Sequence, residues 1–416
     1  MTHLGLTTAV ASASLGVEAV CFDPNPKHIA NLAQGRPHVL EPNLERLMHE
    51  HQRRMTFSCD LADLEGCRLV YIAPDVPTDD EGNSDLTGLR DLIVQVDAAL
   101  PSHAVLVLLS QVPPGFSRAL TLRAGRILYY QVETLIFGQA VDRAQHPERF
   151  IIGCANPGDS LPDVFRAYLD LFGCPLLPMR YESAELAKIS INCCLVASIG
   201  VANTLAEICE HTGADWSEIV PALKLDKRIG PHAYLSPGLG ISGGNLERDL
   251  KTIVQIADRQ GTDARIVRAW IDNSHYRKTW VLRALHRYVF NLEADPLIAV
   301  WGLAYKQDTH STKNSAALEL LTQLKAFRVR AYDPAVRAGG LEGATAEEAP
   351  SALEACMGAD VLAIMTPWRQ FAEIPLCDIL ARMKGRIIID PYRILAMEST
   401  DTGALTHLTL GSSFRD

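Results

Sequence analysis

Short apolar runs bounded by turn residues alternate with helical periodicities along the first half of the chain. The runs are Val17–Asp23, Arg68–Pro74, Ala104–Ser110, Arg126–Val132 and Arg149–Cys154. They are continuous rather than alternating and rich in Val, Ile, Leu and Tyr, as strands covered on both faces are. The helical stretches between them predict right-handed crossovers and a parallel sheet. A second series, Leu297–Tyr305, Val329–Pro334, Val361–Pro367 and Gly385–Pro391, predicts another α/β unit. Between the two series, from Glu182 to Phe290, no strand signal occurs. There Ser183–His211 is apolar on nearly every face, through Leu186, Ile189, Leu195, Ile199, Leu205 and Ile208 among others. A helix apolar all round is usually buried, here as a strut shared by two domains or by two subunits. The expected fold is α/β, with two doubly wound parallel-sheet domains, 1–180 and 293–416, joined by a long central helix in a helical region, 181–292. The one loop candidate of note, Gly339–Pro350, is small and acidic.

A chain of 416 residues is long enough for these parts. Its charged fraction of 21% and apolar fraction of 48% are those of a soluble globular protein. The net charge of −10 argues against nucleic acid and anionic membranes as partners. It leaves room for a phosphate ligand, which loops and helix N-termini bind locally. Run by run, no stretch approaches the roughly 18 apolar residues of a membrane span, and no secretory signal is visible. Ten cysteines at irregular spacings, without a CxxC, predict mostly buried thiols in a reducing cytoplasm. The histidines show no metal-ligand spacing, so no metal is expected.

Val17–Asp23 ends in an acid. At the end of the second strand of a dinucleotide-binding unit, a Rossmann-like domain, such an Asp accepts hydrogen bonds from the adenosine ribose and favours NAD over NADP. The glycine turn that holds the pyrophosphate belongs about 20 residues earlier. Met1-Thr2-His3-Leu4-Gly5-Leu6 matches the back half of that turn, with Gly5 as its third glycine. The expectation is that the natural start lies upstream, with the first strand and two glycines before an internal Met. His3 then lies inside the phosphate turn, as an exposed side chain or a cofactor contact.

Further stretches form an ordered set. They are Asp23-Pro24-Asn25-Pro26, Glu41-Pro42-Asn43-Leu44-Glu45, Pro77-Thr78-Asp79 with Asp85-Leu86, Val112-Pro113-Pro114-Gly115, Glu133-Thr134-Leu135 and Pro147-Glu148-Arg149. There follow Glu185-Leu186-Ala187-Lys188 with Asn192, Leu225-Asp226-Lys227-Arg228-Ile229-Gly230-Pro231, and the glycine turn and acid of Gly240–Asp249. Gly302-Leu303-Ala304-Tyr305-Lys306, Thr312-Lys313-Asn314-Ser315, Tyr332-Asp333-Pro334 and Asp390-Pro391-Tyr392-Arg393 complete it. Over nearly the whole chain this set resembles the UDP-glucose/GDP-mannose dehydrogenase family, and its UDP-glucose branch most.

The resemblance implies NAD as cofactor, a UDP-sugar substrate, and a homodimer or higher homo-oligomer formed through the central helix. It implies cofactor contacts at Leu4, Gly5, Asp23, Pro77, Thr78, Gln111 and Lys306. It implies substrate contacts at Glu133, Leu135, Lys188, Asn192, Arg228, Gly243, Lys313 and Tyr392. The catalytic set it implies is Lys188, Asn192, Asp249, Glu133 and the position of Asn245. Four of these depart from the family pattern: Gln111 stands for a threonine, Asn245 for the nucleophilic cysteine, and Lys313 and Tyr392 for arginines.

Oxidising a sugar hydroxyl needs a hydride acceptor, a base, and donors for the developing alkoxide. Lys188 and Asn192, four apart, put an ammonium and an amide on one helix face. Spacing alone fits a solvated lysine and a packing asparagine better; the resemblance reverses that reading. Asp249 lies four residues after Asn245, and in the family the matching acid works with a water as base. Glu133 matches the acid that acts through water on a thioester. That thioester needs a cysteine, and an amide forms no thiohemiacetal. Cys193 and Cys194 lie about 100° and 200° round the helix from Asn192, so neither shares its face. The expected reaction is therefore NAD-dependent oxidation of a UDP-hexose by two electrons. The alternatives are a silent nucleotide-sugar or NAD binder and a full 6-dehydrogenase with another nucleophile. The Ser242-Gly243-Gly244 turn reads equally as an anion nest and as a helix entry.

Overall fold

The computed structural model describes residues 1–79, 83–341, 346–397 and 405–413. Part of the Gly339–Pro350 loop lies outside them. The chain divides into two compact units, Met1–Ile191 and Asn192–Asp416.

The first unit opens with helix His3–Ser14, capped by Thr2, whose hydroxyl accepts the Gly5 N–H. Strand β1 (Ala19–Phe22) pairs in parallel with β2 (Met55–Ser58) as a two-stranded sheet. A second sheet holds β3 (Leu69–Ile72), β4 (Val105–Leu108), β5 (Ile127–Gln131), β6 (Phe150–Cys154) and β7 (Leu176–Arg180), in that order. All five apolar runs of this half are strands. β4 and β6 are buried at every residue, which is why both read as unbroken apolar stretches. The sheet is not wholly parallel, however. β5 and β6 run antiparallel, with Tyr130 opposite Gly153 and Gln131 opposite Ile152. An unbroken apolar run carries no information about strand direction, so periodicity misses this reversal.

In the second unit no strand lies between residues 192 and 290 among the described residues; helices Trp216–Leu225, Asn245–Gln260, Arg265–Lys278 and Trp280–Leu285 fill that span. The sheet that follows has six strands: β8 (Leu297–Trp301), β9 (Arg328–Tyr332), β10 (Glu347–Glu348), β11 (Val361–Ile364), β12 (Ile387–Ile389) and β13 (Thr406–Leu408). Its order is β10-β9-β8-β11-β12-β13, all parallel. The chain leaves β8 first to one side and then to the other. The crevice beyond the C-terminal ends of β8 and β11 is therefore a topological switch point, where open α/β sheets take ligands. Gly302, the first residue after β8, has φ +94°, and a Cβ there would meet the Thr366 backbone nitrogen at 2.7 Å. The buried Asp333 carboxylate holds the same turn by accepting the N–H groups of Leu303 (2.6 Å) and Ala304 (3.0 Å).

The central helix spans Tyr181–Thr212. Tyr181 and Ala184 belong to the core of the first unit. Val196, Ala202, Ala206 and Cys209 belong to cores of the second. Leu186, Val201, Leu205 and Ile208 are exposed on this chain, so its own fold does not cover every face of the helix. The helix contains no unbroken apolar run of span length, yet by length and composition it is apolar enough to cross a bilayer, with a mean hydropathy of 1.7 over its most apolar window, a property that core helices of soluble proteins share. Its scattered Ser and Asn residues hide that from a search for unbroken runs.

Candidate active site

In the first unit, Glu133 lies just past β5, and its carboxylate accepts the Leu135 N–H. The Lys188 ammonium, on the first third of the central helix, lies 3.8 Å from the other carboxylate oxygen. The Glu133 side chain is only 21% exposed. Burial pushes it up to about 7, against the opposing pull of Lys188 and Arg143. Leu4, Glu133 and Leu135 line one cavity with Gln131 and Arg143. Arg143 braces the loop by donating to the Thr134 carbonyl at 2.9 Å. A turn closed by the Asp85 N–H to Pro77 carbonyl bond (2.9 Å) holds Pro77 and Thr78, the latter bridged to Ser84.

Gln111 lies in the loop after β4. Two N–H groups of that loop, from Gly115 (2.6 Å) and Ser117 (2.8 Å), donate to the fully buried Glu185 carboxylate one turn before Lys188. A second buried acid, Glu41, accepts the N–H groups of Gly138 (2.8 Å) and Ala140 (3.2 Å) and meets the His3 ring at 2.9 Å. His3 is thus a structural contact, neither solvated nor pointed away from the fold.

Asp23 follows β1. Burial raises its carboxyl, and the chain-terminal ammonium, the Asn25 N–H and His28 outweigh that, leaving it below the ordinary carboxylate range. The ammonium of Met1, one residue before the Thr2 cap, reaches this carboxylate. An ionised acid at a strand's C-terminal end thus neighbours the N-terminus of helix His3–Ser14, where Gly5 faces Ala73. This donor set fits the adenosine end of NAD: a carboxylate for ribose hydroxyls and a helix N-terminus for phosphate.

In the second unit, Asn192 donates its amide to Asp249 at 2.5 Å, and Arg248 donates to the other Asp249 oxygen at 3.3 Å. Both partners of the first bond are buried, Asn192 at 7% and Asp249 at 1% exposure. Asn245 is the exposed first residue of helix Asn245–Gln260, and Asp249 lies one turn on, facing inward. The turn before it depends on glycine. Gly240 has φ +81°, and a Cβ there would meet the Ser274 carbonyl at 2.4 Å; Gly243 has φ +77° and faces the Tyr305 ring. The Lys313 stem lies along Gly244, and the Gly243 N–H donates to the Lys313 carbonyl at 3.1 Å. Lys306 stands over the Tyr305 ring at 5.8 Å.

The structure thus gathers Asn192 with Asp249, and Gly243 with Lys313. Arg228 is strongly exposed and engaged by Asp226 at 2.6 Å. Tyr392 packs against the core of the last sheet. The neighbouring Arg393, at φ +53°, spends its guanidinium on Asp215 (3.0 Å), Ser217 and Thr409. Sequence reading gave no role to Glu185, Glu41, Lys278 or Asn314. Glu41, Glu185 and Asn314 sit inside the motif stretches, but only tertiary contacts show what they hold.

Sequence models of the UDP-glucose/GDP-mannose dehydrogenase family match the chain in three parts: the NAD binding domain at residues 1–168, the central domain at 182–275 and the UDP binding domain at 299–397. The chain is 30% identical to UDP-glucose 6-dehydrogenase of Pseudomonas aeruginosa, over 95% of this chain and 92% of that protein. It is 26% identical to UDP-glucose 6-dehydrogenase TuaD of Bacillus subtilis, over 98% and 91%. Its fold matches the UDP-D-ManNAc dehydrogenase from Pyrococcus horikoshii with a TM-score of 0.85 at 23% identity, covering 99% of this chain and 97% of that one.

Proposed function

The chain belongs to the UDP-glucose/GDP-mannose dehydrogenase family, and on that premise we propose that it oxidises a UDP-hexose with NAD, removing two electrons per sugar. The single observation that carries the two-electron limit is Asn245. It occupies the exposed first position of helix Asn245–Gln260, where an amide adds to no aldehyde. The intact Asn192–Asp249 pair supports retention of the first oxidation.

NAD, when bound, supplies the hydride acceptor. Asp23 would hold its adenosine ribose and the N-terminus of helix His3–Ser14 its pyrophosphate. Lys188 and Asn192 donate to the sugar oxygen as charge develops on it, and Asp249 draws off the hydroxyl proton through a water. Glu133 stays beside Lys188 and, above about pH 7, compensates its charge. Gly243, Lys313, Arg228 and Tyr392 contribute to the nucleotide-sugar side, with Lys313 and Tyr392 as the altered contacts. Leu4, Gly5, Pro77, Thr78, Gln111 and Lys306 serve the cofactor side, and Leu135 serves the sugar.

We keep the three-part division at 1–180, 181–292 and 293–416, and assign a homodimer through the central helix. The exposed Val201, Leu205 and Ile208, spaced i, i+4, i+7, support that assignment. Ten cysteines without a disulfide support a cytoplasmic site of action.

The deciding experiment is NADH formed per sugar consumed, across UDP- and GDP-hexoses. One NADH per sugar is expected. Two would overturn the reading of Asn245 and point to another nucleophile. None, with sugar binding still visible by calorimetry, would identify a binder without turnover, the reading that the loss of the cysteine also favours.

A further inference from the structure

Within the second unit, the turn that leads into Asn245 is fastened by one amide. The Asn314 Nδ2 donates to the Ile241 carbonyl (3.2 Å), lies 3.5 Å from the Gly243 carbonyl, and donates to the Glu247 carboxylate. Its Oδ1 accepts from the Lys278 ammonium. The lysine, a donor only, and the three acceptors fix the amide in one orientation. Lys278 is itself unusual. Its side chain is 4% exposed, its stem packs against Gly240, and Glu319 lies 3.6 Å from its ammonium. Asn314 sits at φ +57°, a conformation that asparagine tolerates better than most residues. Directly before it, the Lys313 carbonyl accepts the Gly243 N–H. A lysine, an amide, two backbone carbonyls and a carboxylate therefore join the segment after β8 to both the glycine turn and the first helical turn beyond it.

We propose that Asn314, oriented by Lys278, is a positioning residue that sets the Gly240–Asn245 turn against Lys313 and so controls nucleotide-sugar binding. The inference rests on the family reading above for its ligand, but the clamp is testable without turnover. Asn314→Asp is the sharp variant: nearly isosteric, it sets an acceptor against two carbonyls and the Glu247 carboxylate. A residue that only fills space tolerates that change.

Amide hydrogen exchange across residues 241–246 and the KM for the UDP-sugar are measured in Asn314→Asp, Asn314→Ala, Lys278→Met and Lys278→Arg. Loss of a charge-assisted hydrogen bond makes exchange about tenfold faster and KM about tenfold higher in the first three, with kcat less affected. Lys278→Arg, which keeps a cationic donor, stays within about threefold of the parent. Parental exchange and KM in Asn314→Asp overturn the proposal, whatever happens to Tm. If Asn314→Asp fails to fold, the same comparison between Lys278→Met and Lys278→Arg decides. If the parent turns over no UDP-sugar, the functional reading fails on its own, and exchange across 241–246 still decides the clamp.

Discussion

The Lys188 ammonium and the Glu133 carboxylate lie 3.8 Å apart, joining the central helix to the loop after β5. The pair does not bring the carboxyl down to the ordinary range, because burial outweighs the neighbouring cations and holds it at about 7 instead of 4.5.

The folded protein therefore keeps the Glu133 proton more tightly than the unfolded chain does. The stability this gives is full below about pH 4.5 and is lost as pH rises through about 7. Glu133→Gln should remove that loss, and gain about 1–3 kcal/mol over the parent at pH 8 while matching it near pH 5. Denaturant titrations at the two pH values test this. An identical pH dependence in both proteins would show that Glu133 is not the group responsible.

Asn245→Cys should raise NADH per sugar from one toward two, provided that Glu133 and Lys188 are placed to serve the second step. Stoichiometry and trapping of a thioester by hydroxylamine read this out. A variant that still stops at one locates the block elsewhere, with Gln111, Lys313 and Tyr392 next in line.

Asn192→Leu should remove the amide donor from the buried Asp249 carboxylate, whose other oxygen Arg248 still reaches at 3.3 Å. Breaking a buried polar pair on one side costs about 2–4 kcal/mol. Asn192→Asp should do comparable harm by setting two carboxyls side by side, and should be partly relieved at low pH as one of them protonates. Chemical denaturation at pH 5 and pH 8 checks both, and equal destabilisation of Asn192→Asp at the two pH values would contradict this account.

Gly240→Ala combines a left-handed backbone with a Cβ directed at the Ser274 carbonyl. A loss of about 2–4 kcal/mol is expected, with UDP-sugar affinity falling along with it. Gly358→Ala is the control: φ is also positive there, but the added Cβ meets nothing within 4 Å. It should cost about 1 kcal/mol from the backbone alone. Equal losses in both variants would mean that the close approach at Ser274 carries no weight.

Strands were legible wherever burial on both faces made an unbroken apolar run, as at β4, β6, β8 and β11. The edge strands β2, β7 and β10 were not, although β1 and β3, also at sheet edges, were. β7 contains Pro178 and ends in Arg180, β2 alternates with Thr56 and Ser58, and β10 is two exposed glutamates. Proline and polar residues are tolerated at an edge where ladder bonds are made on one side only. The antiparallel β5–β6 pair shows that direction is decided by connections, not by composition. At the site, Glu133, Lys188, Asn192 and Asp249 were named through resemblance. Lys278 was invisible, because a lysine at the end of a polar helix reads as solvated until Asn314 and Glu319 close over it.

Glu185 and Lys188 sit one turn apart on the same rigid element. The first grips the backbone after β4 and the second faces the acid after β5. A helix turns as a body, so a rotation of its opening turns moves the bases of both side chains together. A twist of its opening turns that strains the Gly115 and Ser117 contacts therefore also strains the approach of Lys188 to Glu133. Two loops of the first unit, separate in sequence, are thereby anchored to one helix.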